Sequence, residues 1–518
     1  MTRNKQVSIF LFLLLGILVL IGFSFQNLGN IYTSDEIHYE KAISKGFIEN
    51  WLERHSIDLS TFLFDSLQEF VTTGDIDTFR KMLDNEDVIA LRHFHGPFSF
   101  YPFIFAKTIF GQTETTQRGT ALFITVVFFC LYIFLPISFF KRQGLLWHLI
   151  GALFICFYVQ SFALSIRIST HMLYAALTLA ALSANAFVLK SNNSKSFYIW
   201  ILCASAAITS LEYAPLLIIV FALTTLFSPN RIINLSAKEL ILSYHVLYGL
   251  LVAILMCSLC WFAGVWKLKL FISYGEYSYL ALLSSGYYRN FANSLLLNSP
   301  TAYVSTAIAL TGSCIYLFLI LAGKIQKHLL PFLLYGTILL LVNLSNNFIY
   351  PQFVFSFLPY LMITGCVGLQ YAWNKGSVIT KSLLILIAVG CAGIGLIRCY
   401  EYSNYCLRKN AEQRITLAEL AEIIDPNSSL LILGRSNFIS RRYLKCGEIK
   451  QIPDEKDDIE RAIGRIQTKD FDYILLMNDA QSDFRNLDIH NLKVLIDNLY
   501  SHAGSQQRMG LYQLKNKR

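Results

Sequence analysis

Charge is scarce in this chain. Only 15% of its 518 residues are Asp, Glu, Lys or Arg, against 54% hydrophobic and 14% aromatic residues. A soluble core of this size needs far less apolar surface, so the balance describes a polytopic membrane protein. Clusters of His and Cys that would suggest a metal are also missing. Eight of the cysteines (Cys130, Cys156, Cys203, Cys257, Cys260, Cys314, Cys366, Cys391) lie inside apolar runs, where a thiol serves as a small hydrophobe. Cys399, Cys406 and Cys446 lie outside the membrane or at its edge, which leaves a Cys406 to Cys446 disulfide open if that side is oxidising. No internal repeat and no low-complexity tract is present. The net charge of +9 does not point to nucleic acid, because the basic residues fall in short loops between apolar runs and form no patch with interleaved aromatics.

What is there is a series of apolar runs. The first, Ser8 to Phe25, follows a basic start, is longer than a signal-peptide core and has no small-x-small cleavage site after it, so it reads as an uncleaved span. Further runs cover 119–140, 144–163, 172–189, 198–227, 241–265, 302–323, 328–344, 352–373 and 379–398. The 198–227 run is too long for one helix and carries "TSLEYAP" in its middle. Splitting it there gives about eleven crossings of ordinary length.

Lys and Arg then fall on alternate connections: Arg3 and Lys5, Lys141 and Arg142, Lys190 and Lys195, Arg231 and Lys238, Lys324 and Lys327, Lys375 and Lys381. By the positive-inside rule that face is cytoplasmic and the N-terminus lies there. Residues 27–100, 266–301 and everything after Cys399 are expected on the other side, most simply outside a bacterial inner membrane. Residues 27–100 are acidic and carry apolar residues at helical spacing, so amphipathic helices on the outer membrane face are expected. In the tail, "ITLAELAEII" and "DIERAIGRIQ" read as helices and "SLLILG", "DYILLMN" and "MGLYQL" as strands. The expected fold is therefore an α-helical membrane domain over 1–398 and a small extracytoplasmic α/β domain over 399–518.

Polar groups distant in sequence gather at the outer edge in this topology. Asp35 and Glu36, in "TSDEIHYEKA", stand directly behind the first span. His93 and His95 precede the second span, Arg118 opens it, and Arg167 occupies the next outer turn. Glu212 sits at the tip of the split hairpin, and Arg289 also reaches this edge.

The order of these features resembles the GT-C glycosyltransferases. "SDEIHYEKA" is similar to their Asp-Glu motif, and its D-E-x-H-aromatic form, with His38, is especially similar to that of the protein O-mannosyltransferases; the lipid A aminoarabinose transferases are a second such group. "HGPFSFYPFIFAKTIFG" resembles their His-Pro-Pro-Leu segment leading to Phe-Gly, and "TETTQRGTALF" resembles the segment with an Arg before a down-going span, which places that Arg at Arg118. The likeness covers roughly the first 230 residues in ordered motifs and, more loosely, the whole topology. There are departures: the second Pro is not matched in "HGPF", Glu212 replaces a Lys of the hairpin turn, and Gln352 stands for a later Arg.

The resemblance implies inverting transfer from a polyprenyl-phosphate-linked sugar to an acceptor hydroxyl on a glycan, lipid or protein. The chemistry of the residues agrees, since such a reaction needs a carboxylate to take the acceptor's proton and a cation to hold the departing phosphate. Asp35 is the expected base and Glu36 orients the acceptor or helps hold a metal. Arg118, then Arg167, would engage the phosphate as a bidentate fork, with His93 or His95 adding a donor. No cofactor is required by any ligand spacing, although a divalent cation such as Mg or Mn between Asp35, Glu36 and the phosphate is compatible with it.

Simpler roles compete. Thr33-x-x-Glu36 is also a capping box, the arginines can be snorkelling anchors, and His95 before Gly-Pro can be a turn residue. At the level of the whole chain, an oligosaccharide polymerase or ligase, a lipid-linked-sugar flippase and a non-catalytic relative stay open. A flippase would place ionisable groups near mid-membrane with paired interrupted helices, and this chain has one interruption at its outer edge.

Overall fold

A computed structural model of the full chain describes residues 3–32, 97–137, 145–191, 194–208, 216–226, 300–325, 327–344, 351–433, 442–452, 466–477, 489–506 and 509–515, with a few single positions between them, among them Glu36, Tyr39, Glu40, Ile43 and Ser44. Contacts divide the chain into two units, one of residues 1–29 and 39–404 and one of residues 30–38 and 405–518. The second unit thus takes in the segment with the acid pair as well as the tail.

The first unit is built of apolar helices: α1 (Arg3–Gln26), α2 (Tyr101–Phe110), α3 (Glu114–Ile137), α4 (Leu145–Cys156), α5 (Val159–Ser165), α6 (Thr170–Ser191), α7 (Ser194–Ile208), α8 (Leu216–Leu226), α9 (Pro300–Leu321), α10 (Leu330–Leu344), α11 (Pro351–Lys375) and α12 (Val378–Ile423). Among the described residues, four stretches are long and apolar enough to cross a membrane by themselves: 114–136, 171–190, 304–321 and the helix beginning at Val378. A helix suits this setting because it satisfies its own backbone hydrogen bonds where lipid offers none. The long 198–227 run forms the two helices α7 and α8. The 144–163 run, expected as one span, is instead broken into α4 and α5, with Tyr158 extended between them (φ −72°, ψ 124°). The break is satisfied locally, because Ser161 Oγ donates to the Ile155 carbonyl at the end of α4.

Small residues let α9 and α11 approach backbone to backbone. A Cβ on Gly368 would stand 1.9 Å from the Gly312 carbonyl oxygen, so no larger residue fits at this crossing. One turn away, Ser313 Oγ donates to the Leu361 carbonyl at 2.9 Å and lies 2.8 Å from Thr364 Oγ1. The buried hydroxyls of Tyr174 and Tyr335 bond to one another, and Tyr132 donates to the Pro359 carbonyl at 3.1 Å. These hydroxyls find their partners on other helices, where lipid could offer none.

The tail holds a five-stranded sheet, β1 (Ser429–Leu433), β2 (Glu448–Ile452), β3 (Tyr473–Met477), β4 (Tyr500–Gln506) and β5 (Met509–Leu514), in the order β2-β1-β3-β5-β4. β2, β1 and β3 are parallel, while β5 is antiparallel to β3 and β4. Both faces are covered. Leu430, Ile432, Tyr473, Leu475 and Leu511 pack with Leu417, Leu420 and Ile424 at the end of α12 and with Ile31. Leu431, Leu433, Ile474 and Tyr512 face the other way, onto Ile496 of α13 (Ile489–Leu499), Ile466, Phe471 and Tyr500. Successive β1 residues alternate between the two cores, as the period of a strand requires.

Two details differ from the sequence reading. "ITLAELAEII" is no separate helix but the last turns of α12, which runs 46 residues without a break. Strands β2 and β4 and helix α13 were not anticipated. The Cys406 to Cys446 bridge that the sequence left open is not formed.

Candidate functional site

Glu36, Tyr39, Glu40, Ile43 and Ser44 are each helical. Glu36 is 2% exposed, and Tyr39 and Ile43 are also buried. A carboxylate is almost never buried so far unless it is paired or hydrogen-bonded. Within the first unit, Tyr39, Glu40, Ile43 and Ser44 are held by α2 and the residues on either side of it. Tyr39 packs against Phe100 with ring centroids 5.6 Å apart. Lys107 Nζ donates to the carbonyls of Ile43, at 3.3 Å, and Ser44. Gln112 Nε2 donates to the Glu40 carbonyl at 3.4 Å and to its carboxylate.

The sequence "YPFIFAKTIFGQTETTQRG" folds as helix, turn and helix for local reasons. Pro102 opens α2, where its missing N–H costs nothing. Gly111 ends it at φ 80°, a conformation that favours glycine, and returns its N–H to the Lys107 carbonyl. Thr113 Oγ1 then accepts the Thr116 N–H at 3.1 Å and caps the start of α3, whose first turn carries Glu114. Arg118 therefore projects from the second turn of a membrane helix. It is 3% exposed, unlike a snorkelling arginine, which keeps its head group in water. A guanidinium buried to this degree requires acceptors or an anion around it.

Arg167, the second candidate for the phosphate, differs. It is exposed, in the turn between α5 and α6, and donates from Nη2 to the Tyr402 hydroxyl at 3.2 Å. Asp35, His38, His93, His95, Glu212 and Arg289 lie outside the described residues, and Gln352 is placed by its backbone in the first turn of α11. Among the described residues no group of three or more His, Cys, Asp or Glu side chains has the geometry of a metal site.

Gln117 was not singled out from sequence. Its side chain is fully buried, its Nε2 donates to the Phe103 carbonyl at 3.4 Å, and its Oε1 has no hydrogen-bond partner among the described residues. A buried carboxamide oxygen left open is costly and can accept a hydroxyl or amide proton from a bound molecule. The only sequence signal was a neutral amide beside the arginine that opens an apolar helix.

No protein-family model matches the chain, and no curated protein matches it by sequence. Solved structures do match. The crystal structure of ArnT from Cupriavidus metallidurans in the apo state is 11% identical, with a TM-score of 0.55 over 97% of each chain. The structure of ArnT from the same organism bound to undecaprenyl phosphate is 10% identical, with a TM-score of 0.58 over 100% of this chain and 99% of that one. The fold of this chain, a set of long apolar helices followed by a small sheet domain near the C-terminus, is similar to that of these two structures.

Proposed function

We propose that this integral membrane protein is a glycosyltransferase that uses a polyprenyl-phosphate-linked sugar. The observation that carries this reading is the likeness along the whole chain to a protein solved with undecaprenyl phosphate, joined to an arginine buried at the opening of a membrane helix. In the proposed reaction the acceptor hydroxyl oxygen attacks the anomeric carbon from the face opposite the phosphate. The carbon to phosphate-oxygen bond breaks, its electron pair leaves with the polyprenyl phosphate, and the acceptor's proton goes to the Asp35 carboxylate. The configuration at the anomeric carbon inverts. Arg118 holds the leaving phosphate, where a fixed guanidinium meets the charge that develops there. Glu36 orients the acceptor, and a divalent cation held by Asp35 and Glu36 would offset charge on the same phosphate. The reaction lies outside the cytoplasm at an inner membrane, with the N-terminus inside and the α/β domain outside.

The test is sugar transfer from a polyprenyl-phosphate donor in vesicles holding equal amounts of each variant. Asn caps a helix about as well as Asp, so Asp35→Asn should insert normally yet slow transfer roughly 10²- to 10⁴-fold, with apparent donor affinity little changed. Wild-type turnover by Asp35→Asn removes Asp35 from the mechanism and leaves it a capping residue. Chelation followed by return of Mg or Mn reads the metal directly. Cysteine labelling at position 427 from the cytoplasmic side alone would reverse the proposed orientation.

A further inference from the structure

The start of α3 carries a buried group that the proposed reaction leaves unused. Most polar side chains there close on their own helix. Thr120 Oγ1 donates to the Thr116 carbonyl at 2.9 Å and Thr125 Oγ1 to the Ala121 carbonyl at 2.8 Å. Gln117 does not. It is fully buried, its Nε2 donates across to the Phe103 carbonyl of α2, and its Oε1 accepts no hydrogen bond from any described residue. Turning the amide over is no remedy, because it would set Oε1 against the Phe103 carbonyl, one acceptor facing another. The next residue is Arg118, also buried, and consecutive α carbons lie only about 3.8 Å apart. Phe103, Gln117 and Arg118 all belong to the first unit.

We infer that Gln117 is a specificity-determining residue for the donor, its Oε1 accepting a proton from the substituent on carbon 2 of the sugar. This rests on the proposed function, in which Arg118 holds the leaving phosphate. Of the groups a bound donor and acceptor would bring, chemistry leaves one for Oε1. Ionised phosphate oxygens are acceptors only, as is the carboxamide oxygen, so the two cannot bond. The polyprenyl chain has no polar atom to offer. The acceptor hydroxyl attacks from the face opposite the phosphate, so the anomeric carbon stands between it and Arg118. The sugar's own substituents remain, and the one nearest the phosphate-bearing carbon is on carbon 2. A hydroxyl or an N–H there can donate to Oε1. The opening that admits a phosphate to Arg118 serves the neighbouring residue as well. No protein hydrogen bond to Oε1 is broken in the exchange, so the new bond is gained without that loss. A site that reads a hydroxyl in this way rejects the analogue lacking it, because the buried acceptor is then left unmet in the complex. The ligand class is a polyprenyl-phosphate-linked sugar with a hydrogen-bond donor on carbon 2.

The experiment measures lipid binding by the full-length protein in lipid nanodiscs. The probes are undecaprenyl phosphate alone, the same lipid carrying glucose or mannose, which are epimers at carbon 2, and the lipid carrying their common 2-deoxy derivative. Dissociation constants are read for wild type, Gln117→Met and Gln117→Glu. Met keeps the length and the helical preference and loses the oxygen. Wild type should bind one of the two epimers roughly tenfold to a hundredfold more tightly than the 2-deoxy lipid. Gln117→Met should bring that epimer down to the level of the 2-deoxy lipid and leave undecaprenyl phosphate alone within about twofold of wild type. Gln117→Glu keeps an acceptor oxygen and sets negative charge beside the phosphate, so it should weaken every probe together and preserve the preference. Wild type that binds undecaprenyl phosphate but does not distinguish the 2-deoxy lipid overturns the inference and leaves the transferase reading standing. A Gln117→Met protein that still discriminates, or a Gln117→Glu protein that does not, overturns it in the same way. Equal loss of every probe by a Gln117→Met protein that melts as wild type does also overturns it, and assigns Gln117 to the packing of α2 on α3. Wild type that binds none of the probes removes the proposed function, and this inference with it. Should Gln117→Met fold poorly, the wild-type discrimination and Gln117→Glu carry the comparison.

Discussion

The two ends of helix α12 obey different rules along one unbroken backbone. In its first half large apolar side chains point outward on several sides, Leu383, Ile385, Leu386 and Val389 among them. In its second half the buried positions narrow to one stripe, Gln413, Thr416, Leu417 and Leu420, while Arg408, Lys409, Glu412, Arg414 and Glu422 are exposed. The first pattern is a helix surrounded by hydrocarbon and the second is an amphipathic helix on a soluble core. Exposure of an apolar group therefore has two meanings in this protein, and the surrounding solvent decides which applies.

Deleting apolar volume should hurt most where water is the alternative. Leu475 is fully buried in the centre of the sheet. Leu475→Ala should destabilise the α/β domain by about 2 to 5 kcal/mol, read as loss of its cooperative melt or of amide protection in β3. A loss below about 1 kcal/mol would show that this core is not close-packed.

Adding charge should separate the two halves of α12 directly. Leu386 and Ile415 are both largely exposed, at 69% and 57%. Leu386→Asp places a carboxylate in hydrocarbon and should cost about 2.5 to 3.5 kcal/mol in insertion assays. Ile415→Asp should stay within about 0.5 kcal/mol. Equal penalties would erase the boundary between the two regimes.

A smaller contrast concerns arginines. Arg118 is buried, whereas Arg398 pairs with Glu401 at 3.0 Å with both side chains about half exposed. Losing a charge-assisted phosphate contact costs about 1.5 to 3 kcal/mol, so Arg118→Ala should weaken donor use roughly tenfold or more. Arg118→Lys should restore only part, because an ammonium cannot form the fork. Arg398→Ala should change stability by at most about 0.5 kcal/mol. Full donor use by both Arg118 variants would make that residue structural only.

The smallest effect is one of pH. Burial, with Asp470 nearby, pushes the Tyr500 phenol up to about 12, above the roughly 10 of an unfolded chain. A raised folded value means the contribution is complete below about pH 10 and is lost as pH rises towards 12. The α/β domain should therefore lose on the order of 1 kcal/mol across that window. Tyr500→Phe forfeits the hydrogen bond to the Phe471 carbonyl at neutral pH and should flatten the alkaline limb of the melting profile. An unchanged limb would assign it to Tyr473 or Tyr512, whose phenols are also raised by burial.

The strands readable in sequence were the three interior ones, β1, β3 and β5. Buried on both faces, they are nearly continuous apolar runs. The two that escaped are the edges of the sheet. β2 reads "EIKQI" and β4 reads "YSHAGSQ", with a register shift between His502 and Gly504, and edge strands carry polar residues and bulges for the very reason that they are edges. Glu36 and Arg118, both buried, stood out in sequence because fixed charge beside an apolar run is expensive and therefore conspicuous. Lys107 and Gln112 did not, since nothing in their neighbourhood marks them; their partners lie 63 and 72 positions away.

The sequence by itself determined that this is a membrane protein of many helices with an α/β tail. Those features follow from hydropathy and from backbone hydrogen bonds closed within a few residues, and both are local. Only the tertiary structure decided that α12 runs unbroken from the apolar region into the α/β domain, that α9 and α11 cross at bare glycine backbone, and that residues 30–38 join the C-terminal unit. Each of these depends on which distant surfaces meet, and the free energy of such a meeting is written in no single stretch of the chain.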